Sequence, residues 1–484
     1  MNPQARLATL MKKITLLLFA LTATVATAAP ASPQLRAGAA EELRVGRAKV
    51  RITPPIGSVV GNSYGIQIAA GVTSDLHAKA VVFEQNGLRA AWVTCDLISI
   101  HRPILEQTRR LVAERTGIRP EHLIVSATHC HAGPQTHPLF LEAVGGEARR
   151  LSERYVEELP GMIAESVRLA EADLQPARMF AGSARENDLA FNRRFLLRNG
   201  TVDTNPGRRN PEVIRPMGPV DPEVGIVYIE GTDRRPLVTW VNFALHVAVA
   251  GAGKRPFVSA DYPHTLSELL GKVKGEQMLT IFTTGMSGNI NHLNPALASQ
   301  AGGEAEAARI GTILAAAVLK GMPGLQPVAP APLRAVTRAV RAPARPAGSP
   351  AEVARAREIV LRHGKGPTFL EVIHAWRLID VSTYAPDGFW PGEVQAISFG
   401  GDLAIVGYPG DSFVELGFRI KENSPFARTF VSEQSGSGSI GYVPNEKAYP
   451  EGSYEVESAR LAPGGGEILA DAAVRLLTEL FHQK

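Results

Sequence analysis

The segment from residue 90 to residue 127 constrains the fold more than any other part of the chain. Ala90–Asp96 is a short apolar run of the kind that forms a buried strand. Arg102–Thr116 carries apolar residues at helical spacing and ends before Gly117, and Leu123–Ala127 is again a strand-like run. A strand, a helix and a strand in succession are the unit of a sheet with crossover helices, so the sequence predicts an α/β fold.

The rest of the sequence predicts further strands and helices. We expect further strands at residues 42–52, 79–84, 177–181, 224–230, 237–249, 393–399 and 403–406. We expect further helices at residues 152–171, 266–273, 304–319, 350–362 and 468–482. The expected architecture is a set of mixed β-sheets flanked by helices, in one large domain spanning residues 40–484.

Two segments have a different composition. Residues 187–219 are rich in Arg, Asn, Pro and Gly, which predicts a long surface loop that also forms a cleft wall. Residues 323–365 begin with a Pro/Ala-rich stretch and continue into a charged helix. We expect a linker followed by a helical excursion within the domain.

Residues 1–29 have the features of a secretory signal peptide. Met11-Lys-Lys13 precedes an apolar run at residues 14–25 and the small-x-small pattern Ala26-Thr-Ala28. The charged start recurs at Met11, which leaves two start positions open. No later run reaches eighteen uninterrupted apolar residues, so we expect a secreted or periplasmic protein without a transmembrane segment in the mature chain.

Charge and cysteine content restrict the class of site. The formal net charge is +4, but no cluster of five or six basic residues occurs, so we expect no nucleic-acid partner. Cys95 and Cys130 are the two cysteines, and they exclude both a disulfide framework and a four-cysteine metal site. One bond between them is possible in an oxidising compartment, although we favour two buried thiols.

The strongest chemical signal is the pair His129 and His131, which follows the strand Leu123–Ala127 and precedes a Gly-Pro turn. Residues two apart on a strand point to the same face, so both imidazoles can enter one cleft. Neutral imidazole is a common zinc ligand. A pair of hydrogen-bonded core or surface histidines is the alternative.

Two further strand ends carry polar groups suited to a site. His246 lies near the end of a strand, where a satisfied core histidine is the alternative. The Gly-rich turn at residues 283–295 exposes Asn289 and Asn291, and it suits either an oxyanion or a helix cap.

The C-terminal part of the chain supplies a carboxylate and two phenols. Asp411 follows a strand and a Pro-Gly turn, where a helix N-cap by Asp411 or Ser412 is the alternative. Tyr442 and Tyr454 lie in a turn-rich run, where tyrosines usually pack with a wet hydroxyl.

Taken together and in this order, these stretches resemble the catalytic domain of the neutral/alkaline ceramidases, zinc amidases that cut the N-acyl bond of sphingolipids. The resemblance extends from about Val45 to Tyr454. It rests on the following motifs: Thr128-His-Cys-His-Ala-Gly-Pro134, Phe191-Asn-Arg-Arg194, Ser259-Ala-Asp-Tyr-Pro263, the Gly-Tyr-Pro-Gly-Asp turn ending at Asp411, and Gly441-Tyr-Val443.

The resemblance implies one zinc ion per chain. Its ligands would be His129, His246, the carboxylate after the Pro-Gly turn, and Tyr442. His131 would then lie beside the metal as a hydrogen-bonding or proton-transfer group. Tyr454 would contact the scissile carbonyl, and Arg193 matches an arginine of the substrate pocket.

The sequence departs from the family pattern in three ways. The family has Glu where this chain has Asp411, which makes Glu415 an alternative ligand. Residues Gly288-Asn-Ile-Asn291 replace the family's Gly-Asp-x-Ser, so Asn289 and Asn291 can orient groups but cannot act as bases. The chain also ends soon after Tyr454, so we expect no C-terminal β-sandwich domain.

The resemblance therefore predicts a secreted zinc amidohydrolase acting on a small-molecule or lipid substrate, an N-acyl sphingolipid or a related N-acyl compound, with peripheral membrane contact possible. Two alternatives stay open: a zinc hydrolase of an ester or glycoconjugate, and a non-catalytic binding protein on the same scaffold.

Overall fold

The computed structural model describes residues 42–61, 67–252, 256–329, 332–436 and 440–483, and the elements below are numbered within this part of the chain. The strands are β1 (Arg44–Arg51), β2 (Val59–Val60), β3 (Gln67–Ile68), β4 (Gly71–Val72), β5 (His77–Gln85), β6 (Leu88–Cys95), β7 (Leu123–Ala127), β8 (Gln175–Arg185), β9 (Phe191–Asn192), β10 (Arg194–Leu197), β11 (Val202–Thr204), β12 (Val213–Pro216), β13 (Glu223–Gly231), β14 (Pro236–Phe243), β15 (Phe257–Val258), β16 (Leu279–Thr284), β17 (Ile290–Asn291), β18 (Gln326–Pro327), β19 (Leu333–Pro343), β20 (Phe389–Phe399), β21 (Leu403–Gly407), β22 (Asp411–Ser412), β23 (Arg428–Ser432) and β24 (Tyr442–Val443). The α-helices are α1 (Arg102–Thr116), α2 (Pro138–Val144), α3 (Gly146–Ala172), α4 (Tyr262–Lys274), α5 (Glu304–Gly321), α6 (Pro350–Leu361), α7 (Phe369–Tyr384), α8 (Val414–Glu422), α9 (Tyr454–Ser458) and α10 (Gly465–His482).

Two mixed sheets form the centre of the domain. The larger has the strand order β16-β14-β13-β8-β1-β5-β6-β7, with β18 paired to β8. Its β14–β16 and β6–β7 pairs are parallel, while its other neighbours are antiparallel. The smaller sheet has the order β19-β20-β21-β23, and its β21–β23 pair is parallel.

The two sheets pack face to face, and helices cover their outer faces. Along β5, Val81 and Phe83 belong to a core shared with the smaller sheet, whereas Ala80 and Val82 belong to a core shared with α1 and α3. This alternation follows from the two-residue period of a strand, and it explains why β5 is apolar on both faces. Three further helices cover the outer faces in the same way: α4 and α5 pack on β13 and β14, and α10 packs on the smaller sheet.

The predicted architecture is confirmed, and so are most predicted elements. The hairpin β5–β6 pairs antiparallel across Asn86-Gly87. Helix α1 has the bounds expected, and it ends because Gly117 adopts a left-handed φ of 72° and donates its N–H to Ala113 O. Both cysteines are buried free thiols, as favoured. The predicted signal peptide at residues 1–29 lies outside the described residues.

The prediction of a single long loop at residues 187–219 is wrong in part. The segment contains a three-stranded sheet with the order β11-β10-β12, and β9 pairs with β17. These strands are short and half exposed, so they carry many polar residues and lack the apolar pattern by which a strand is predicted. The expected cleft wall is present, since Val202–Asn205 and Arg208 line the cavity described below.

The predicted Pro/Ala-rich linker also contains a strand. β19 runs through it and pairs with β20 over eleven residues, from Leu333 opposite Phe399 to Pro343 opposite Phe389. An edge position explains the composition, because β19 has one sheet neighbour and tolerates prolines at its end. The sequence analysis also missed α7, which forms a hairpin with α6 and begins with a capping box formed by Thr368 and Glu371.

The topology brings several loops to one place. Each of the three parallel pairs, β6–β7, β14–β16 and β21–β23, ends in loops at the carboxyl edge of its strands. Hydrogen bonds fasten these loops to one another: Thr284 Oγ1 donates to Thr128 O, Glu433 N donates to Thr284 O, and Ala127 N donates to Gln434 O. The loops after β7, β14, β16, β21 and β23 therefore converge, as ligand-binding loops of open α/β sheets commonly do.

Candidate metal centre

His129 and His246 present the same ring nitrogen to a common point. His129 follows β7 and is held at φ 64°, a left-handed conformation that costs a non-glycine residue energy. Its Nδ1 lies 2.9 Å from Ile98 O, and the Nδ1 of His246, which follows β14, lies 2.9 Å from Ser287 O. Because a carbonyl can only accept, each Nδ1 carries the proton and each Nε2 carries a lone pair.

The two lone pairs face each other. His129 Nε2 and His246 Nε2 are 3.0 Å apart, and neither has a proton to share in these tautomers. Two nitrogens bound to one tetrahedral zinc ion at about 2.0–2.1 Å would be about 3.3–3.4 Å apart, so a shift of a few tenths of an ångström would accommodate the ion. Orientation of ligand histidines by hydrogen bonds from their second nitrogen is also usual in metal sites. The two histidines therefore fit a single cation.

His131 is part of the same cluster but has different surroundings. Its Nε2 lies 3.0 Å from His129 Nε2, and the ligand atoms of all three histidines lie within 4.8 Å of one another. Within the described residues, however, no group accepts a hydrogen bond from His131 Nδ1. Burial lowers the pKa of His131 well below its ordinary value, and the neighbouring His129 lowers it further.

Asp411 brings a carboxylate to the cluster. Its Oδ1 lies 3.3 Å from His129 Nε2, and Gln434 Nε2 donates to the same oxygen. Asp411 belongs to β22, which pairs with β24 so that Asp411 lies opposite Tyr442. The alternative of a helix N-cap is wrong, because Phe413 occupies the N-cap position of α8.

Glu433 is a buried carboxylate that the sequence analysis missed. It accepts hydrogen bonds from Ser287 N at 3.1 Å, Ser287 Oγ at 2.6 Å and Ser412 N at 2.8 Å. Burial raises the pKa of Glu433 well above its ordinary value, and the charge of Asp411 raises it further. Glu433 thus connects two parts of the site. It bonds Ser287, whose carbonyl orients His246, and it bonds Ser412 in the strand that carries Asp411.

Aromatic and cationic groups continue the cluster outward. The Tyr442 ring is stacked on His246 at 6.5 Å between centroids, and Tyr454 meets Tyr442 edge-on at 5.2 Å. Arg193 lies over Tyr442 at 5.3 Å and donates to Glu455 Oε1 at 2.8 Å and to Gly288 O at 2.6 Å. Arg193 is therefore fixed in place, since buried Glu455 supplies its counter-charge.

A cavity of about 730 Å³ opens beside the histidines. The candidate site residues that line it are His131, Arg193, His246, Asn291, Tyr442 and Tyr454. Helix α7 closes part of the wall with Phe369 and Leu370, which are about half exposed. A pocket with apolar walls and a few converging polar groups is the usual form of a small-molecule site.

Asn289 and Glu415, predicted for the site, lie away from the lining of this cavity. Asn289 accepts from Val414 N at 3.0 Å and donates to Glu415 Oε2 at 2.9 Å, so both residues belong to the beginning of α8. Asn291 does line the cavity, and it donates to Asn205 Oδ1 at 2.7 Å. The geometry thus favours Asp411 over Glu415 as the carboxylate nearest the histidines.

Comparison with known proteins points to one family, although no protein-family model matches the chain. Over 193 residues, the chain is 28% identical to the neutral ceramidase of Pseudomonas aeruginosa, a match covering 38% of this chain and 27% of that protein. The crystal structure of neutral ceramidase from Pseudomonas aeruginosa aligns with 91% of this chain and 74% of its own, with a TM-score of 0.69 and 20% identity. The chain is therefore similar to neutral ceramidase in part of its sequence and in its fold.

A second solved structure shows the same similarity. A ceramidase complexed with C2 aligns with 91% of this chain and 75% of its own, with a TM-score of 0.69 and 19% identity. A likeness at this level of identity shows a shared fold and not a shared activity. Within the described residues, the protein has no helix long and apolar enough to cross a membrane.

Proposed function

We propose that this protein is a zinc-dependent amidohydrolase that hydrolyses the N-acyl amide bond of a sphingolipid or a related N-acyl compound. The observation that carries the proposal is the convergence of His129 Nε2, His246 Nε2 and Asp411 Oδ1 beside a cavity in a ceramidase-like fold. These are the ligand types that zinc takes in catalytic sites.

In this proposal His129, His246 and Asp411 hold the metal, and Tyr442 completes the set. The support for separating His131 from the ligands is its Nδ1, for which the described residues offer no acceptor, whereas the other two histidines each donate to a carbonyl. A bound zinc ion would lower the pKa of water toward about 7 and polarise the amide carbonyl.

The remaining residues bind substrate and move protons. Neutral His131 accepts a proton from the attacking water and passes it to the departing amine, so that one water is consumed and an acid and an amine are released. The Tyr454 hydroxyl donates to the carbonyl oxygen as negative charge develops there. Arg193 keeps Tyr442 in place from its fixed position against Glu455.

The test is hydrolysis of a ceramide that carries a fluorescent fatty acid, by purified protein of measured zinc content, with and without a chelator. We expect about one zinc per chain, release of the labelled acid, and loss of release on chelation. His246→Ala should lose both metal and activity, whereas His264→Ala, a change at an exposed histidine of α4, should lose neither.

Each other outcome has a definite meaning. Zinc without ceramide turnover would contradict the sphingolipid substrate and favour an ester or glycoconjugate. Absence of bound metal would contradict the hydrolase proposal and favour a binding protein.

The proposal includes export of the protein through the predicted signal peptide at residues 1–29. Mass spectrometry of protein recovered from the periplasm or medium should give a mature N-terminus near residue 30. An intact N-terminus on active protein would contradict it.

A further inference from the structure

We propose that Asp261 is a positioning residue that fixes His131 beside the metal centre, through the loop that follows His246. The inference rests on the proposed amidase function, in which His131 transfers protons. It gives a role to the Ser259–Pro263 motif, which lies outside both the proposed metal ligands and the cavity lining.

The backbone of Asp261 adopts a conformation that few residues other than glycine tolerate. Asp261 precedes helix α4 with φ 59° and ψ −156°, at the edge of a region populated almost entirely by glycine. Such strain persists where the surrounding contacts over-determine it, and it is common near active sites. Asp261 is also only 2% exposed, so its carboxylate has lost its hydration as well. A role for the carboxylate itself would account for both costs.

The carboxylate holds the loop that follows His246. Its Oδ2 accepts from Val249 N at 2.8 Å and from Ala250 N at 2.7 Å, and its Oδ1 accepts from Tyr262 N at 2.7 Å. Burial raises the pKa of Asp261 to about 6, so the carboxylate is ionised at neutral pH. Hydrogen bonds to an ionised acceptor are stronger than those between neutral groups. The loop is therefore firmly joined to the beginning of α4.

The same loop supports the main chain of His131 on two sides. Val247 O accepts from His131 N at 2.9 Å. A Cβ at Gly251 would lie only 3.1 Å from His131 O, so the loop also passes close to the carbonyl of His131. Ala248, between these two contacts, lines the cavity. A displacement of the loop would therefore move His131 relative to the cavity.

The segment before Asp261 holds the neighbours of His131. Ser259 N donates to Ala132 O at 3.1 Å, and Ser259 O accepts from Cys130 Sγ at 2.9 Å. Asp261 N donates to Ser259 Oγ at 3.0 Å, which joins these contacts to Asp261. The main chain around His131 is thus supported both by the loop and by the segment that carries Asp261.

The two proposed histidine ligands are oriented by other residues. His129 Nδ1 lies 2.9 Å from Ile98 O, and His246 Nδ1 lies 2.9 Å from Ser287 O. Neither carbonyl belongs to a residue that bonds the Asp261 carboxylate. Loss of this carboxylate should therefore disturb proton transfer more than metal binding.

The experiment is a double-mutant cycle with Asp261→Asn and His131→Ala, measured as kcat for a ceramide that carries a fluorescent fatty acid. In Asp261→Asn an NH₂ group, which cannot accept a hydrogen bond, replaces one carboxylate oxygen. We expect kcat to fall by about 10²-fold, the cost of a small misplacement of a reacting group, while zinc content stays near one per chain. In the His131→Ala protein the same change should lower kcat by about threefold or less, because residues that act as a unit are not additive.

Asp173→Asn is the matched control. Asp173 also accepts from a main-chain N–H, that of Arg47 at 3.1 Å, but it lies at the end of α3 and outside the cavity lining. Its kcat should stay within about twofold of the native value.

Two further variants separate a positioning role from a stabilising one. Asp261→Ala removes the carboxylate and keeps the strained backbone, whereas Asp261→Gly removes the carboxylate and relieves the strain. We expect a higher urea midpoint for Asp261→Gly than for Asp261→Ala, with kcat reduced alike in both. Recovery of kcat together with the midpoint would show that the carboxylate only stabilises the fold, and would overturn the proposal.

The His131 ring can also be observed without an activity assay. In zinc-loaded protein isotopically labelled at its histidine ring nitrogens, the NMR signals of His131 should shift on Asp261→Asn. Those of His129 and His246 should change little, because their carbonyl acceptors are retained.

Equal effects of Asp261→Asn in the native and His131→Ala proteins would overturn the positioning role, and so would unchanged His131 signals. The proposed function is judged separately, by zinc-dependent ceramide hydrolysis by the native protein. Hydrolysis that Asp261→Asn leaves unaltered overturns the positioning role alone. Absence of hydrolysis by the native protein overturns the proposed function, and the His131 signals then decide whether Asp261 holds His131.

Discussion

At the scale of single residues, the metal centre depends on which ring nitrogen of each histidine is protonated. The H-x-H spacing identified His129 and His131, because an H-x-H after a strand aims both rings into one cleft. His246 was identified by its place near a strand end and by the family resemblance. It could not give the acceptors Ile98 O and Ser287 O, which belong to loops distant in the chain. These carbonyls decide the tautomers, and hence which histidines are equipped to be ligands.

The role of His131 can be tested by removing its ring. We expect His131→Ala to lower kcat by about 10²–10⁴-fold, the usual contribution of a positioned acid–base group, while zinc content stays near one per chain. Zinc is measured by elemental analysis and kcat with labelled ceramide. Loss of zinc together with activity would make His131 a ligand and contradict the assignment.

His292 gives a prediction for stability at acid pH. Burial lowers its folded-state pKa to about 4, so the unfolded chain binds a proton near pH 6.5 that the folded chain does not. Stability from this group is therefore complete above about pH 6.5 and decreases as the pH falls toward 4. Between pH 7 and pH 5 the decrease is on the order of 2 kcal/mol.

The measurement is urea unfolding at the two pH values for the native protein and for His292→Gln. We expect the variant to lose less stability than the native protein on acidification, by about that amount. Equal losses would show that His292 is protonated alike in both states.

At the scale of elements, the site is assembled by loops at the carboxyl ends of parallel strands. The sequence predicted β7, β14, β21 and the turns after them, because apolar runs end there in Gly or Pro. It did not predict β23 or the part that Glu433 and Gln434 play after it. Their contacts with Ser287, Asp411 and Ser412 depend on the second sheet lying against the first, which no local pattern encodes.

Glu433 should therefore matter for metal affinity without contacting the metal. Glu433→Ala removes three hydrogen bonds that hold the loop of Ser287 and the strand of Asp411, so we expect zinc affinity to fall about 10–100-fold. Competition with a chromogenic chelator measures the affinity. Glu114→Ala, at an exposed carboxylate of α1, is the matched control, and an equal effect of the two changes would contradict a positioning role.

Helix α7 shows how an element missed by sequence analysis is anchored. Its Asp380 forms a buried ion pair with Arg460, with Oδ2 2.8 Å from Nη2 and 3.1 Å from Nε. Asp380→Asn leaves the buried charge of Arg460 without its carboxylate partner, so it should lower the free energy of unfolding by about 3 kcal/mol. Asp387→Asn breaks the exposed pair with Arg341 and should cost less than about 1 kcal/mol. Similar values for both changes in urea unfolding would contradict the anchoring role.

At the scale of the whole molecule, two stacked sheets with helices outside bring segments some 300 residues apart to one cavity. The layered architecture could be predicted from strand and helix periodicity, because the strands are apolar on both faces. Other features could not, because they depend on pairing between distant segments. β19 is an edge strand within a Pro/Ala-rich stretch, and the small sheet β11-β10-β12 is half exposed. Both become recognisable through their partner strands.

The central claim is that His129, His246 and Asp411 surround one metal ion. Anomalous diffraction from a crystal, recorded on both sides of the zinc absorption edge, tests it most directly. We predict a single zinc peak about 2.0–2.1 Å from both His129 Nε2 and His246 Nε2. A crystal grown with zinc that shows no peak between these two nitrogens would contradict it.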